Sequence, residues 1–266
     1  MKKAIVLFFI SLPILSLGQG TSFFQDLITT SSVQPSLPET DKLNNYILSL
    51  QNKKVKSEKK FLKSIFKATH QKYLKTYSQY ADLGEVFQGG KFDCLTATTL
   101  FGVLLKETHF DFKIIETNYH IFILVDTKEG QVLLETTDRL SGFVEDPAEI
   151  IRRIGTYRTN TISASGEDKM YYQYSFDMFH EVRPNQLTGL LYFNRAIKAY
   201  NSHDLLACAS LLAQSKHSYD SPRVEELAII LVKSVLESNL STTLKSQIIH
   251  QYKNYVMSKS TPVASR

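Results

Sequence analysis

The chain of 266 residues has no tryptophan and only two cysteines, Cys94 and Cys208. So few thiols rule out a disulfide-stapled scaffold, and the two lie in segments that read as different domains. No Cys-x-x-Cys or His-x-x-His pair occurs, which leaves a zinc site nothing to build on, so no metal or cofactor is expected. Gly84, Gly89, Gly90 and Lys91 miss the phosphate-loop spacing, and Phe92 stands where a Ser or Thr would hold the metal. An excess of charge of one sign is lacking too: 31 Lys and Arg face 26 Asp and Glu, a formal +5. That balance gives no reason to expect nucleic acid as a partner. The lysines at 53, 54, 56, 59, 60 and 63 read as a solvated face.

The start of the chain is legible. Lys2 and Lys3 precede an apolar run, Ala4 to Leu17, interrupted by Ser11, Pro13 and Ser16. Small residues follow at Ser16-Leu17-Gly18, so residues 1–18 are expected to be a secretory signal and the mature chain to begin near Gln19. The run falls short of the roughly 20 residues a membrane helix needs, and no Cys marks a lipoprotein anchor. Export to the periplasm or medium is expected, with no integral span once the signal is cleaved. Cleavage would remove two lysines and no acids, leaving a formal +3.

With 43% hydrophobic and 21% charged residues, the rest can bury a full core. Residues 19–40, rich in Ser, Thr, Gln and Pro, read as a flexible leader. A short helix from Asp41 to Leu50 and a long amphipathic one from Ser57 to Tyr77 follow, the second carrying Phe61, Ile65, Phe66, Ala68, Tyr73 and Leu74 near a 3.6 period. Phe87 to Asp93 forms a Gly-bearing turn. Cys94 to Glu107 is apolar almost all round and reads as a buried helix, with Asp93 placed to cap it. Strands are expected at Phe110–Thr117, His120–Asp126 and Gln131–Thr136, the last two joined by the turn Thr127 to Gly130. A short helix from Pro147 to Arg158, a polar loop at 160–169 and a strand at Tyr171–Val182 come next. Helical patterns then run at Leu187–Tyr200, Leu205–Lys216, Arg223–Glu237 and Thr243–Val256, stacked as tetratricopeptide-like hairpins.

Three residues in this order can carry chemistry. Cys94 opens a buried helix, where unsatisfied backbone N–H groups and the helix dipole favour a thiolate. His120 opens a strand, and Glu135 closes its partner among Val132, Leu133 and Leu134. A carboxylate ending so apolar a run needs a partner, because burying it alone is expensive. If the turn centres on Lys128-Glu129, paired residue numbers sum to 257, so Phe122 faces Glu135 and His120 faces Thr137. His120 and Glu135 then lie one diagonal step apart on one face; a slip of one residue would part them. A nucleophile on a helix start, a base on a strand and an orienter on the next strand make a triad. Taken singly, each also suits a structural role: a small core thiol, a strand histidine.

The stretches Gly90-Lys-Phe-Asp-Cys94-Leu-Thr-Ala-Thr-Thr-Leu100, Asn118-Tyr-His120-Ile-Phe-Ile-Leu-Val125 and Leu133-Leu-Glu-Thr-Thr137 resemble the core of the transglutaminase-like superfamily, a papain-type cysteine fold. The bacterial branch in which that core precedes helical repeats is the most similar. The resemblance implies Cys94 as nucleophile, His120 as general base and Glu135 where the family usually has Asp. It also sets Phe122 where many members carry Trp. Gln88, six residues before Cys94, matches the offset of the papain-like oxyanion-hole glutamine, with the Cys94 backbone N–H as second donor.

The expectation is therefore an α+β chain. A transglutaminase-like core at 41–183 packs an antiparallel sheet on the Cys-bearing helix, and an α-helical appendage follows at 184–258. The expected activity is attack by Cys94 on a protein or peptide amide, ending in hydrolysis or acyl transfer. The rival is an inactive scaffold whose C-terminal helices recruit a protein partner.

Overall fold

The computed structural model describes residues 22–118, 120–159 and 178–259. The expected signal segment, the polar loop at 160–169 and most of the strand expected from Tyr171 lie outside them. The N-terminal third is helical: α1 (Ser22–Ile28), α2 (Leu37–Gln51) and α3 (Glu58–Lys72). The short strand β1 (Thr76–Tyr77), the helix α4 (Leu83–Gln88) and the strand β2 (Lys91–Phe92) follow.

Two expectations change here. Residues 22–40 are folded, not a flexible leader. Phe24, Leu27 and Ile28 are buried in the main core, and the polar residues behind them are spent on caps and turns. Ser32 donates to Asp82 through both its N and Oγ, and Glu39 accepts from the Ser36 N to start α2. Composition alone does not separate such a tied-down polar segment from a loose one. The long helix expected to reach Tyr77 ends at Lys72, because the next residues pair with another backbone. Lys75 N donates to Gly90 O at 2.8 Å, and β1 lies parallel to β2.

α5 (Cys94–Glu107) is the central helix, and every residue from Leu95 to Leu105 is buried. The sheet beside it contains β3 (Asp111–Thr117), β4 (Ile121–Asp126), β5 (Val132–Leu134) and β6 (Phe143–Val144), then, after α6 (Pro147–Thr159), β7 (Phe179–Val182). The spatial order is β6-β5-β4-β3-β7, every neighbour antiparallel. Ile123 faces Leu134, Leu124 faces Leu133 and Val125 faces Val132, the register in which residue numbers sum to 257. Gly130 sets it: its φ of 107° lets its N–H reach Thr127 O at 3.0 Å.

Alternation gives the sheet two buried faces. Ile114, Ile123 and Leu134 line up across three strands and belong to the core that also holds α5. On the other face Ile115, Phe122 and Leu133 pack under Ile150, Ile154 and Tyr157 of α6, spaced four and three apart as one helical stripe.

The C-terminal helices α7 (Leu187–Asn201), α8 (Leu205–Lys216), α9 (Pro222–Glu237) and α10 (Thr242–Lys259) start and stop within a few residues of the sequence expectation. They are not an appendage in packing. Leu187, Leu190, Leu191 and Phe193 share the buried cluster of α5 and the sheet, and Asn194 Nδ2 reaches Asp93 Oδ2 at 2.8 Å. A helix apolar on its inner face covers α5 better than solvent does. The chain is thus α+β. Among the described residues no helix is long and apolar enough to cross a membrane.

Candidate functional site

Asp93 starts α5 as the sequence requires. Its Oδ1 accepts from Thr96 N and Thr96 Oγ1, both at 2.8 Å, while Asp93 N donates back to Thr96 Oγ1. Asn194 takes the other carboxylate oxygen. Burial pushes the Asp93 pKa up against these bonds.

Cys94 follows, only partly buried as a residue, and its thiol is free, as is that of Cys208 in α8. Burial, followed by the Asp93 and Glu135 carboxylates, pushes the Cys94 thiol far above its ordinary range. The helix start does not offset this, so the resting sulfur is protonated at neutral pH, against the thiolate expected from the helix dipole alone.

His120 and Glu135 do meet. His120 sits just before β4, and its own N–H donates to Thr117 Oγ1 at 3.1 Å while its carbonyl accepts from Thr117 N at 2.8 Å. This closes the β3–β4 turn tightly. Glu135 sits just after β5 in a loop closed by Glu135 N to Gly142 O and Gly142 N to Asp138 O, each 2.8 Å. A Cβ on Gly142 would lie 2.2 Å from the carbonyl oxygens of Glu135 and Asp138, so only glycine closes it. His120 Nε2 bonds to Glu135 Oε2.

Glu135 collects three more donors: Thr137 Oγ1 at 2.6 Å and Thr137 N at 3.2 Å on Oε1, and Tyr157 OH at 3.1 Å on Oε2. Burial raises its pKa, but the His120 and Thr137 bonds outweigh that and hold the carboxyl below its usual value. An ionised carboxylate only accepts, so the Glu135 bond takes a proton on Nε2 and leaves Nδ1 as the nitrogen that can accept a proton when the ring is neutral. The same orientation would let a thiol hand its proton to Nδ1.

Strand alternation puts His120 and Glu135 on the sheet face under α6, with the His120 ring against Phe122 and 4.8 Å from that of Tyr157. α5 covers the opposite face. Its first turns meet the loop at the end of β5: Thr98, one turn on from Cys94, bonds Thr136 at 2.9 Å. Cys94 is near enough for the Glu135 charge to act on its thiol, but among the described residues no hydrogen bond joins the thiol to the imidazole. Of the three residues expected as a triad, His120 and Glu135 are hydrogen-bonded, while Cys94 has a free thiol at the start of α5.

Gln88 is not part of this group. It ends α4 on the exposed side, and its Nε2 donates to Gln34 O at 3.0 Å. The residue at the right offset thus spends its amide on the folded N-terminal segment.

Two neighbours were not singled out from sequence. Tyr157 shares the inward stripe of α6 with Ile150 and Ile154, yet nothing local marks its hydroxyl as a Glu135 ligand. Tyr77 packs its ring edge-on against Phe92, 6.0 Å between centroids, on a strand the periodicity assigned to a helix; burial and then the charges at Cys94 and Asp93 push its hydroxyl up to about 12. Among the described residues no group of three or more His, Cys, Asp and Glu is placed to hold a metal ion. No protein-family model, curated protein or solved structure matches this chain.

Proposed function

We propose that the chain is a transglutaminase-like cysteine hydrolase or acyltransferase acting on protein or peptide amides through Cys94, His120 and Glu135. The observation that carries the reading is the His120 Nε2 bond to an ionised, triply supported Glu135, whose loop is bonded through Thr136 to Thr98 in the helix that begins with Cys94. In the reaction the Cys94 proton passes to His120 Nδ1 as the sulfur bonds the acyl carbon. The C–N bond breaks, and the imidazolium proton goes to the leaving amine. Water or a second amine then attacks the thioester, giving acid or transferred amide and restoring the thiol. Because the resting thiol is neutral, the thiolate forms in the substrate complex and not before it.

The test is labelling of the mature chain by a peptide carrying an acyloxymethyl ketone, with the adduct mapped by mass spectrometry. Adduct on Cys94 that falls in His120→Ala and Glu135→Gln supports the reading. Labelling of Cys94 that does not depend on either residue sinks it.

The neutral thiol and the missing Cys94–His120 bond favour a second reading, in which the core is an inactive scaffold and the C-terminal helices hold a protein partner. A Cys94→Ala chain with unchanged biological effect would select it.

A further inference from the structure

The turn that delivers His120 is held from behind by the C-terminal helices. Arg223 lies in the first turn of α9, 8% exposed, behind the N-cap Ser221. One branch of its guanidinium, Nη1, pairs with Glu116 Oε1 on β3. The other branch, Nη2, donates to Thr117 O at 3.1 Å and also to Asn118 O. Those two carbonyls belong to the turn that His120 closes with Thr117. Glu116 is 1% exposed and is further held by Tyr219 OH, at 2.9 and 2.8 Å to its two oxygens, and by His180 Nε2 at 3.2 Å.

A carboxylate buried this deep is costly unless it is paired and hydrogen-bonded, and an apolar pair of similar volume would hold the helices to the sheet as well or better. Packing therefore does not explain the charge. The geometry does: a planar fork fixes an ion pair and two backbone carbonyls at once, which a point charge cannot do. From the geometry we infer that Arg223 is a positioning residue, whose guanidinium fixes the Thr117–His120 turn and so locks the His120 ring onto Glu135. The role rests on the triad reading for its meaning in catalysis, but the lock itself is a structural property that exists with or without turnover.

The experiment reads the ring nitrogens of His120 by NMR in the full mature chain, assigned by their loss in His120→Gln. In the wild type the two nitrogen shifts are those of a single Nε2–H tautomer. Arg223→Lys keeps a cation for Glu116 but loses the second branch to the carbonyls. It is expected to stay folded by circular dichroism while the shifts move toward a tautomer average. Peptide-probe labelling of Cys94 falls in parallel by about tenfold or more.

The double variant Arg223→Met with Glu116→Gln leaves no unpaired charge and serves if the single change unfolds the chain; the same averaging is expected. A folded variant of either kind that retains the wild-type shifts overturns the inference, as does an averaged tautomer in the wild type. A locked wild-type ring that unlocks in the Arg223 variants, with no probe labelling in any chain, upholds the positioning role and sinks the proposed activity alone.

Discussion

The hydroxyl of Tyr157 and the ring of His120 share one oxygen, Oε2 of Glu135. Tyr157 comes from α6, His120 from the entrance to β4, so the carboxylate ties helix to sheet as well as orienting the imidazole. Burial first, and then the Glu135 charge, push the Tyr157 hydroxyl up to about 12, so it remains a donor at every physiological pH. Tyr157→Phe keeps the ring, which lies 5.0 Å from that of Phe122, and deletes the hydroxyl with its bond to Glu135 and its interaction with Arg153. A bond to a charged acceptor contributes roughly 1.5–3 kcal/mol, so urea unfolding should lose an amount in that range. An unchanged urea midpoint would mean that Glu135 is satisfied without Tyr157.

Gly142 holds the backbone of the residue that bears this carboxylate. With carbonyl oxygens of Glu135 and Asp138 2.2 Å from any added Cβ, Gly142→Ala must open the loop, since neither obstacle is a side chain that can swing away. The expected result is a loss of about 1–3 kcal/mol in unfolding free energy, with the His120–Glu135 contact weakened as Glu135 moves. Equal stability of Gly142→Ala and wild type in urea would show that the loop relaxes at no cost.

Strands β3, β4 and β5 and the helices α5 and α7 to α10 were legible as apolar runs and rows, while β6, α1 and α4 were not marked. The turn at Thr127–Gly130 fixed the register, and the register fixed which residues share a face, which is why His120 and Glu135 could be paired from numbers alone. What escaped was non-local. Ser32 and Asp82 lie fifty residues apart, and their bonds turn a polar segment from leader into structure. The Lys75 to Gly90 bond ends a helix that periodicity would have continued. The helix dipole argued for a thiolate at Cys94, but burial and then the carboxylates of Asp93 and Glu135 act in the opposite sense, and that burial is not written in the local sequence.

His70 offers a pH test of the core behind the Glu135–Gly142 loop. It is 2% exposed, packed against the stacked rings of Phe66 and Phe101, and its Nε2 makes no hydrogen bond. Burial, with a smaller push from Arg139, lowers its pKa from 6.5 to about 4. As pH falls below 6.5 the unfolded chain takes up a proton that the folded chain refuses until about pH 4. Stability from this group is therefore complete above pH 6.5 and drains away between 6.5 and 4, by on the order of 3 kcal/mol in all. His70→Phe removes the titration, so its unfolding free energy should flatten across that window relative to wild type. Parallel curves for the two proteins would place the acid loss elsewhere.

The thiol of Cys94 separates active from inactive readings because two reagents should respond to Glu135 in opposite directions. Iodoacetamide needs only a thiolate. Burial and the charges at Asp93 and Glu135 hold the proton on sulfur, so alkylation at pH 6 to 8 should be slower than for a cysteine in the unfolded chain, and should climb with pH beyond the ordinary thiol range. Glu135→Gln and Asp93→Asn each remove a negative charge and lower the thiol pKa, speeding alkylation by up to about tenfold for one pKa unit. A peptide acyl probe needs more than a thiolate, since His120 must take the proton and Glu135 must hold the ring. For that reagent Glu135→Gln should slow labelling while it quickens iodoacetamide. If both rates rise in Glu135→Gln, the carboxylate only opposes the thiolate, and Cys94 is a buried thiol that His120 never serves.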